Sequence, residues 1–341
     1  MQVALVGVSG YSGMTLYALL KQHPAIDHIN LYGHPDAEPV ALKTIAPMYQ
    51  KETAIIRPFE AQAVMATNDL IFFATSAGVT SQLALPLVAA KFPVIDLSGD
   101  FRLPDPADYT HWYHRPAAPA TALAQASYGL AEFNHHLTTY VANPGCYATA
   151  TLLGLAPLVQ QQLIDPTSIV VDAKSGLSGA GKKLAATSQF TMVNDNLQLY
   201  KLNQHQHIPE IMQQLKKWWS AIPAIEFTTT LIPVTRGIMS SIYVKAAQPI
   251  TTAQVRAAFE RVYADQPFVQ ILPTGMPTLK TVIGSNNCAI GVNVNPATKT
   301  ILVVSVIDNL MKGAAGQAIQ NFNQLFKLAP TAGLPMLPVF P

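Results

Sequence analysis

Short apolar runs alternate with helix-like stretches over the first 145 residues of the chain. The run Gln2–Val6 is rich in β-forming residues, and a glycine-containing turn separates it from a helix-like stretch over Met14–Gln22. Helix-like residues, notably around 80–90, lie between the further strand candidates, which are His28–Tyr32, Asp69–Ala74 and Val94–Leu97. This alternation predicts an α/β fold with a Rossmann-like, doubly wound parallel sheet.

The pattern of the remaining chain predicts a second domain. Residues 100–126 lose the periodicity and favour a long ordered loop over the ligand edge of the sheet. A helix-like stretch follows from Thr149 to Gln162. Strands then outnumber helices, with candidates at Ile169–Ala173, Glu226–Pro233, Gly237–Ala246, Ala289–Asn295 and Ile301–Ile307. We expect a second α+β domain with a mixed, largely antiparallel sheet, and a last helix, Gly313–Phe326, with room to return to the first domain.

Composition and charge narrow the classes of function. Half of the 341 residues are apolar, only 12% are charged, and the formal net charge is +2. So low a share of charge favours a buried subunit interface, and hence a homo-oligomer, either a dimer or a tetramer. A large core with a neutral polar surface is the alternative. The basic residues are scattered, which argues against nucleic acid as a partner.

The sequence predicts neither a membrane-spanning segment nor a secretion signal. The most apolar stretch, Leu83–Leu97, is too short and too interrupted for a bilayer, and the N-terminus lacks a basic segment and a cleavage site. We therefore expect a cytoplasmic protein. In that compartment Cys146 and Cys288 are expected to remain thiols.

The turn after the first strand contains Gly7, Gly10 and Gly13 and opens a helix, where backbone amides can hold a pyrophosphate. Ser9 occupies the usual place of the second glycine, and a tight turn without a ligand is the alternative. No acidic residue closes the second strand, which ends Leu31-Tyr-Gly-His34. The absence of an acid that would repel a 2′-phosphate favours NADP over NAD, although no Arg stands nearby in the sequence.

Cys146 is the candidate nucleophile. It follows Asn143-Pro-Gly and directly precedes a helix-like stretch, at the boundary between the predicted domains. A helix N-terminus lowers the pKa of a thiol, and its amides can hold the oxyanion that forms when a thiolate attacks a carbonyl. A small buried hydrophobic residue is the alternative. Cys288, which precedes a strand, has a weaker setting for catalysis.

A proton acceptor or donor for the cysteine is offered by His205 and His207. Pro209 suits the first turn of a helix, which places both histidines in an extended lead-in where residues two apart share a face. A surface pair or a structural histidine is the alternative. No third ligand has a suggestive spacing, so no metal site is expected.

Together these residues resemble the N-acetyl-γ-glutamyl-phosphate reductase family, which is related in fold and chemistry to aspartate-semialdehyde dehydrogenase. The family's motifs occur in order across nearly the whole chain, at 7–13, 98–102, 128–130, 143–147, 172–181, 205–211, 236–237 and 308–317. The resemblance implies that Cys146 attacks N-acetyl-L-glutamyl 5-phosphate and that phosphate leaves. NADPH then reduces the thioester to N-acetyl-L-glutamate 5-semialdehyde, a step of arginine biosynthesis.

The resemblance also implies roles for individual residues. One histidine serves as the acid-base partner of Cys146; we favour His205, with His207 supporting substrate binding. Cofactor contacts are expected at Gly7, Ser9, Gly10, Tyr11, Ser12, Gly13, Ser175, Gly176, Gly179 and Asn309. Substrate contacts are expected at Ser98, Arg102, Asn143, Lys182 and Arg236. Arg102 and Lys182 suit an anionic substrate, with ordinary surface charge as the alternative.

Several positions depart from the family's pattern. Gln206 stands where the family usually has Arg, and Ala148 and Ala131 stand where it often has Pro. The segment Thr75-Ser-Ala-Gly78 replaces a common Pro-His-Gly turn near the cofactor. None of these changes removes a catalytic group, but Gln206 removes a cation beside the histidines.

Three other functions compete with the reductase. Aspartate-semialdehyde dehydrogenase and a reductase of a carrier-bound acyl phosphate use the same thioester chemistry, and a silent dinucleotide-binding regulator would keep only the fold. The motif over 308–317 argues against the first, the lack of a basic patch against the second and the intact Cys146 against the third. We predict a dinucleotide-binding domain over 1–145, completed by the C-terminal segment 311–341. A catalytic, substrate-binding and oligomerisation domain is predicted over 146–310.

Overall fold

The computed structural model describes residues 1–185 and 188–339, which form two compact units. The first unit comprises Met1–Pro144 and Ala314–Leu334, and the second comprises Gly145–Gly313 and the chain from Pro335 onwards. The division predicted from the sequence kept the whole C-terminal segment with the first unit. Residues 340 and 341 of that segment lie outside the described residues.

The tail from Pro335 lies with the second unit because its backbone is hydrogen bonded there. The N–H of Asn286 donates to the carbonyl of Pro335 (2.9 Å), and the N–H of Val339 donates to the carbonyl of Ile283 (2.8 Å). These bonds are made by irregular backbone, which has no periodic pattern in the sequence. A boundary at 334 could therefore not be predicted.

The first unit is built on an eight-stranded sheet in the order β3-β4-β2-β1-β5-β6-β8-β7, parallel except for the β3–β4 pair. Its strands are β1 Gln2–Val6, β2 His28–Gly33, β3 Val40–Ala41, β4 Ile55–Pro58, β5 Leu70–Phe73, β6 Val94–Asp96, β7 Ala126–Tyr128 and β8 Tyr140–Ala142. Its helices are α1 Tyr11–Gln22, α2 Leu42–Ile45, α3 Ala61–Thr67, α4 Thr80–Leu83, α5 Leu85–Ala89, α6 Pro106–Tyr113, α7 Ala120–Leu123 and α12 Gly316–Leu325. The predicted Rossmann-like sheet is confirmed.

The predicted long loop over 100–126 is wrong, because this segment contains α6 and α7. The buried carboxylate of Asp100 organises its start by accepting hydrogen bonds from the N–H of Gly78 and the hydroxyl of Tyr109 (2.8 and 2.6 Å). Asp105 then caps α6 by accepting from the N–H of Ala107. Tertiary contacts, which local periodicity does not record, thus order the segment.

The second unit contains a seven-stranded mixed sheet in the order β10-β11-β9-β12-β15-β14-β13. Its strands are β9 Val170–Ser175, β10 Gln198–Tyr200, β11 Glu226–Leu231, β12 Ile238–Lys245, β13 Val269–Ile271, β14 Cys288–Asn295 and β15 Thr300–Ile307. Its helices are α8 Cys146–Gln160, α9 Phe190–Val193, α10 His207–Trp218 and α11 Thr252–Val262. Four of its six strand pairs are antiparallel, which confirms the predicted character of the sheet.

Helix α8 is the central element of the second unit. Every side chain from Tyr147 to Val159 is buried, and the helix packs on β12 and β15. Gly154 permits this packing, because a Cβ built there lies 2.6 Å from the Cδ1 atom of Ile242. The middle of α8 thereby packs closely on the sheet. Among the described residues, no helix is long and apolar enough to cross a membrane.

Asp96 at the end of β6 should make the stability of the first unit depend on pH. Burial, reinforced by the charge of Asp100, raises the pKa of this fully enclosed carboxyl from 3.8 to about 7. A raised pKa in the folded state stabilises the fold at low pH, and this contribution is lost as the pH rises through about 7. The free energy of unfolding contributed by Asp96 therefore falls between about pH 4 and pH 7.

We expect Asp96→Asn to reduce that fall, since an amide does not ionise and still offers an oxygen to the Ser98 N–H. The measurement is urea unfolding of wild type and variant at several pH values from 4 to 8. Asp108→Asn, on the exposed side of α6, serves as the matched control. Identical pH profiles for wild type and Asp96→Asn would contradict the assignment.

Candidate functional site

The glycine turn after β1 contains two very close contacts between backbone segments. Gly7 has a φ of +90°, and a Cβ built on it lies 2.5 Å from the carbonyl oxygen of Ala74. A Cβ on Gly13 would lie 2.1 Å from the carbonyl oxygen of Gly7, so neither position accepts a side chain. A Cβ built on Gly10 would lie 3.7 Å from its nearest neighbour, the carbonyl oxygen of Gly7, so there is open space at the start of α1.

The N-terminus of α1 is suited to an anion. Gly10 is its N-cap residue, and no side chain caps the helix. The amides of the first turn therefore remain directed towards the open space, as a pyrophosphate requires. Ser9 and Tyr11 are exposed beside this opening and Ser12 is half-buried. The turn thus fits the pyrophosphate of a nicotinamide dinucleotide.

A cation that the sequence did not reveal lies beside the end of β2. Strand β4 pairs with β2 in parallel, with Arg57 opposite Tyr32, and the Arg57 side chain is exposed. The linear sequence hides this proximity because another strand and two short helices separate the two residues. Arg57 is therefore a candidate partner for a phosphate at the end of β2.

Three residues predicted to contact substrate are buried in the first unit. The Oγ of Ser98 donates to the carboxylate of Asp96 (2.9 Å). Arg102 donates through Nε to the carbonyl of Asn143 and through Nη2 to that of Leu97, both at 2.8 Å. The amide oxygen of Asn143 accepts from the Nδ2 of a residue in α12 (2.9 Å). These contacts hold the loops that follow β6 and β8.

Cys146 is the first residue of α8, and two glycines, Gly145 and Gly313, lie next to it. A Cβ built on Gly313 lies 2.8 Å from the Cβ of Cys146. A Cβ on Gly145, the N-cap residue, would lie 2.3 Å from Nε2 of His207. The imidazole therefore packs directly on the backbone that precedes the cysteine. Cys146 itself lies at the N-terminus of α8, a position that favours the thiolate form of a cysteine.

The predicted extended lead-in for the two histidines is wrong. Gln206 has helical dihedral angles, and His207 is the first residue of α10. The two rings nevertheless lie together, with centroids 4.7 Å apart. The Nδ1 of His205 accepts a hydrogen bond from the backbone N–H of His207 (3.2 Å), so neutral His205 carries its proton on Nε2.

Burial and aromatic neighbours keep His205 uncharged. Loss of solvent, reinforced by the charge of Lys201, lowers the pKa of His205 to about 3. Its ring lies 5.2 Å from that of Tyr147 and 6.0 Å from that of Phe227. The hydroxyl of Tyr200 donates to that of Tyr147 (3.0 Å). Burial raises the pKa of Tyr200 to about 12 and that of Tyr147 further, so both stay protonated.

Lys201 places a cation next to the histidine pair. Its Nζ donates to the Oε1 of Gln206 (2.7 Å). Gln206 is the residue that replaces the Arg usual in the family that the sequence resembles. The ammonium group of Lys201 thus places a positive charge close to position 206, where glutamine replaces the arginine usual in that family. Lys182, predicted to bind substrate, is exposed on a different segment of the same unit.

The remaining predicted cofactor residues lie together in the second unit. Asn309 accepts from the N–H of Gly237 through Oδ1 (2.7 Å) and donates through Nδ2 to Ser178 (3.0 Å). A Cβ on Gly179 would lie 2.6 Å from the Oγ of Ser175. These contacts bring the end of β9 next to the segment after β15.

Arg236 and Gly176 complete this cluster. A Cβ on Gly176 would lie 2.8 Å from the backbone nitrogen of Arg236, so the two segments pass in close contact. The guanidinium of Arg236 forms an ion pair with the buried carboxylate of Asp308 (2.9 Å). Arg236 therefore holds the segment before Asn309 in place.

Sequence reasoning missed Gly313 and Glu210. Glu210 is fully buried and accepts the N–H of Gly145 through Oε1 (2.6 Å). Both residues belong to segments that were recognised, but their contacts with 145–146 depend on the tertiary fold. Cys288 is fully buried next to Ser305, which agrees with a packing role. Within 1–185 and 188–339, no group of three or more His, Cys, Asp or Glu side chains is arranged to hold a metal ion.

Two family models match the chain. Residues 2–140 match the model described as semialdehyde dehydrogenase, NAD binding domain. Residues 146–309 match the model described as semialdehyde dehydrogenase, dimerisation domain. The two matches cover nearly the whole sequence.

Curated relatives are similar over their full length. N-acetyl-gamma-glutamyl-phosphate reductase 2 of Lactiplantibacillus plantarum is 74% identical, with all of both chains covered. The N-acetyl-gamma-glutamyl-phosphate reductases of Limosilactobacillus fermentum and Listeria monocytogenes are 53% and 51% identical, again over all of both chains.

Solved structures share the fold. Aspartate semialdehyde dehydrogenase II from Vibrio cholerae aligns with a TM-score of 0.71 at 18% identity, covering 96% of this chain and 98% of that one. The aspartate semialdehyde dehydrogenase from Candida albicans, solved with NADP, aligns with a TM-score of 0.67 at 14% identity, covering 95% and 98%. At these identities the likeness concerns the architecture alone.

Gly313→Ala should make Cys146 less reactive, because the added methyl group overlaps the Cβ of the cysteine. We expect the rate of alkylation of Cys146 by iodoacetamide to fall about tenfold or more, since small displacements of a reacting group have large kinetic effects. Peptide mass spectrometry identifies the labelled cysteine. Ser220→Ala, which changes an exposed residue beyond the end of α10, is the control. An unchanged alkylation rate for Gly313→Ala would contradict the packing argument.

Proposed function

Because the chain belongs to the N-acetyl-gamma-glutamyl-phosphate reductase family of semialdehyde dehydrogenases, we propose that it reduces N-acetyl-L-glutamyl 5-phosphate to N-acetyl-L-glutamate 5-semialdehyde and phosphate. The observation that carries the proposal is Cys146 at an uncapped helix start with the His207 imidazole packed on the preceding residue. This is the arrangement that covalent catalysis by a thiolate needs.

Cys146 forms the covalent bond to substrate. Its thiolate attacks the acyl carbonyl, the carbon–sulfur bond forms, and the carbon–oxygen bond to phosphate breaks with its electrons going to phosphate. Amides of the first turn of α8 are suitably placed to hold the oxyanion of the tetrahedral state. A bound nicotinamide dinucleotide would supply the hydride that reduces the acyl carbon, and the carbon–sulfur bond would then break with its electrons returning to sulfur. Release of the aldehyde then returns the sulfur of Cys146 to its starting state.

His207 is the proton partner that the geometry favours, whereas the sequence favoured His205. The Nε2 of His207 lies against Gly145, directly before the nucleophile. His205, with a pKa lowered to about 3, cannot supply an imidazolium near neutral pH. We assign His205 the role of holding the backbone of His207 through its Nδ1.

The anionic groups of the substrate need cations. Lys201 next to the histidines and the exposed Lys182 are suited to bind them. Arg102 and Arg236 use their guanidinium groups to hold neighbouring segments. We therefore assign Arg102 and Arg236, with Ser98 and Asn143, to shaping the loops rather than to the main charge contacts.

NADPH is the proposed form of the nicotinamide cofactor. The turn from Gly7 to Gly13 is suited to the pyrophosphate, and β2 ends without an acidic residue at Gly33 or His34. The exposed guanidinium of Arg57, on the neighbouring strand, supports binding of a 2′-phosphate. The cluster formed by Ser175, Gly176, Gly179 and Asn309 is assigned to the nicotinamide end.

We also propose that the protein is a homo-oligomer. The second unit matches a model described as a dimerisation domain. Exposed apolar side chains concentrate within one segment of that unit, at Leu184, Phe190, Met192, Leu197, Leu199 and Leu202. Burial of these side chains against a second copy accounts for the low share of charged residues in the chain.

Cys146→Ser should abolish turnover. The assay is phosphate-dependent reduction of NADP with N-acetylglutamate semialdehyde, and a fall of several orders of magnitude is expected because serine is a far weaker nucleophile. Binding of NADPH should remain unchanged, and Cys288→Ser serves as the control that keeps activity. Full activity in Cys146→Ser, or wild-type activity with aspartate semialdehyde alone, would refute the proposal.

Arg57→Ala should weaken discrimination in favour of NADPH. Loss of one charge-assisted contact is expected to raise KM for NADPH about tenfold, while KM for NADH stays the same. Arg261→Ala, which changes an exposed arginine of α11, is the control. Equal increases of KM for both cofactors would show that Arg57 does not contact the 2′-phosphate.

A further inference from the structure

The start of α8 lacks the side-chain cap that helices usually have. Its N-cap residue is Gly145, which has no side chain to accept a hydrogen bond from the first turn. Ser, Thr, Asp or Asn are the usual N-cap residues, but all of them carry a Cβ. At Gly145 that atom would lie 2.3 Å from Nε2 of His207. The close approach of the imidazole therefore excludes an ordinary cap.

The missing cap also has a chemical consequence. An N-cap side chain accepts a hydrogen bond from the second or third amide of the helix. In α8 these amides belong to Tyr147 and Ala148, and they are the groups available to an oxyanion on substrate bound to Cys146. A capping oxygen would compete for them. Glycine at 145 leaves these donors to the substrate.

Glu210 anchors the helix start in a different way. Its carboxylate is fully buried and accepts the N–H of Gly145 itself, at 2.6 Å. In a capping box an acidic side chain at the third helical position makes this contact, but the third position of α8 is Ala148. Glu210 thus supplies from α10 what the helix cannot supply from its own sequence.

Glu210 and His207 act on Gly145 from the same helix face. They are three residues apart in the first turn of α10, a spacing that places side chains side by side. One accepts the backbone N–H of Gly145, and the other packs its ring on the α-carbon. A buried carboxylate is costly unless it is well hydrogen bonded, so its presence there calls for a specific role.

We propose that Glu210 is a positioning residue, which fixes Cys146 relative to His207 by binding the N–H of Gly145. The inference rests on the proposed function, because the distance between nucleophile and proton partner matters only if Cys146 is acylated. Glu210 touches neither substrate nor cofactor in this role. It acts through the backbone before the cysteine.

The first test separates kcat from KM. Glu210→Ala removes the acceptor, and we expect kcat to fall about 10²-fold with KM for the semialdehyde unchanged, as displacement by roughly 1 Å does elsewhere. Glu210→Gln keeps an oxygen at the same place and should retain most of the activity. Glu260→Ala, on the exposed side of α11, should behave as wild type. Thermal unfolding of each variant verifies that it is folded.

A double-mutant cycle with His207→Asn gives the second test. If Glu210 acts through the position of His207, Glu210→Ala should cost far less in the His207→Asn background than in wild type. Independent, multiplying losses in the two variants would overturn the proposal. So would a loss in Glu210→Gln as large as that in Glu210→Ala, or an effect on KM alone.

Acylation by p-nitrophenyl acetate tests the role of Glu210 independently of whether N-acetylglutamate semialdehyde is the substrate. The thiolate of Cys146 forms a carbon–sulfur bond to the acetyl group, and p-nitrophenolate leaves with the electrons of the broken ester bond. The burst of p-nitrophenolate requires no cofactor. A burst that falls in Glu210→Ala and is kept in Glu210→Gln supports the proposal even if N-acetylglutamate semialdehyde is not a substrate. An equal burst in wild type and Glu210→Ala overturns it.

Discussion

The contact between the His207 ring and the backbone of Gly145 is the constraint on which the catalytic part of the second unit depends. It requires glycine at the N-cap position of α8, and glycine has no side chain that could cap the helix. The helix start is then held from outside, by a carboxylate on the same turn that carries the imidazole. One steric requirement thus explains the residue before the nucleophile, the bare helix terminus and a buried acid.

Each unit contains a helix whose start has no side-chain cap and is suited to a negatively charged group. In the first unit Gly10 precedes α1, and in the second Gly145 precedes α8, and neither helix has a side-chain cap. The same backbone property suits the pyrophosphate of the dinucleotide in the first unit and, in the proposed reaction, a transient oxyanion in the second. In the second unit the neighbouring tyrosines and His205 stay uncharged, which strengthens the local field of the helix start.

Features encoded within a few residues could be predicted from the sequence. Strand β1, the glycine turn and the cysteine at a helix start all follow from local patterns, and five of the seven strands of the second sheet lie within two residues of their predicted ends. The short strands β10 and β13 were not predicted. Contacts between distant segments could not be predicted. The bond from Gly145 to Glu210 joins residues 65 apart, and the place of Arg57 depends on strand pairing. Residues 100–126 were misread because buried Asp100 orders a segment without periodicity.

The close packing of Gly145 and Gly313 beside Cys146 has a consequence for recombination between relatives. Three separate segments of the second unit, 145–147, 205–210 and 311–313, fit together through Gly145, Gly313 and the hydrogen bond from the N–H of Gly145 to Glu210. A chimera that exchanges one of these segments joins surfaces that were shaped in different proteins, and the close approach at the two glycines leaves no room for a mismatch. Crossover points that keep all three segments from one parent are therefore the ones compatible with an intact nucleophile, even when the parents share most of their sequence.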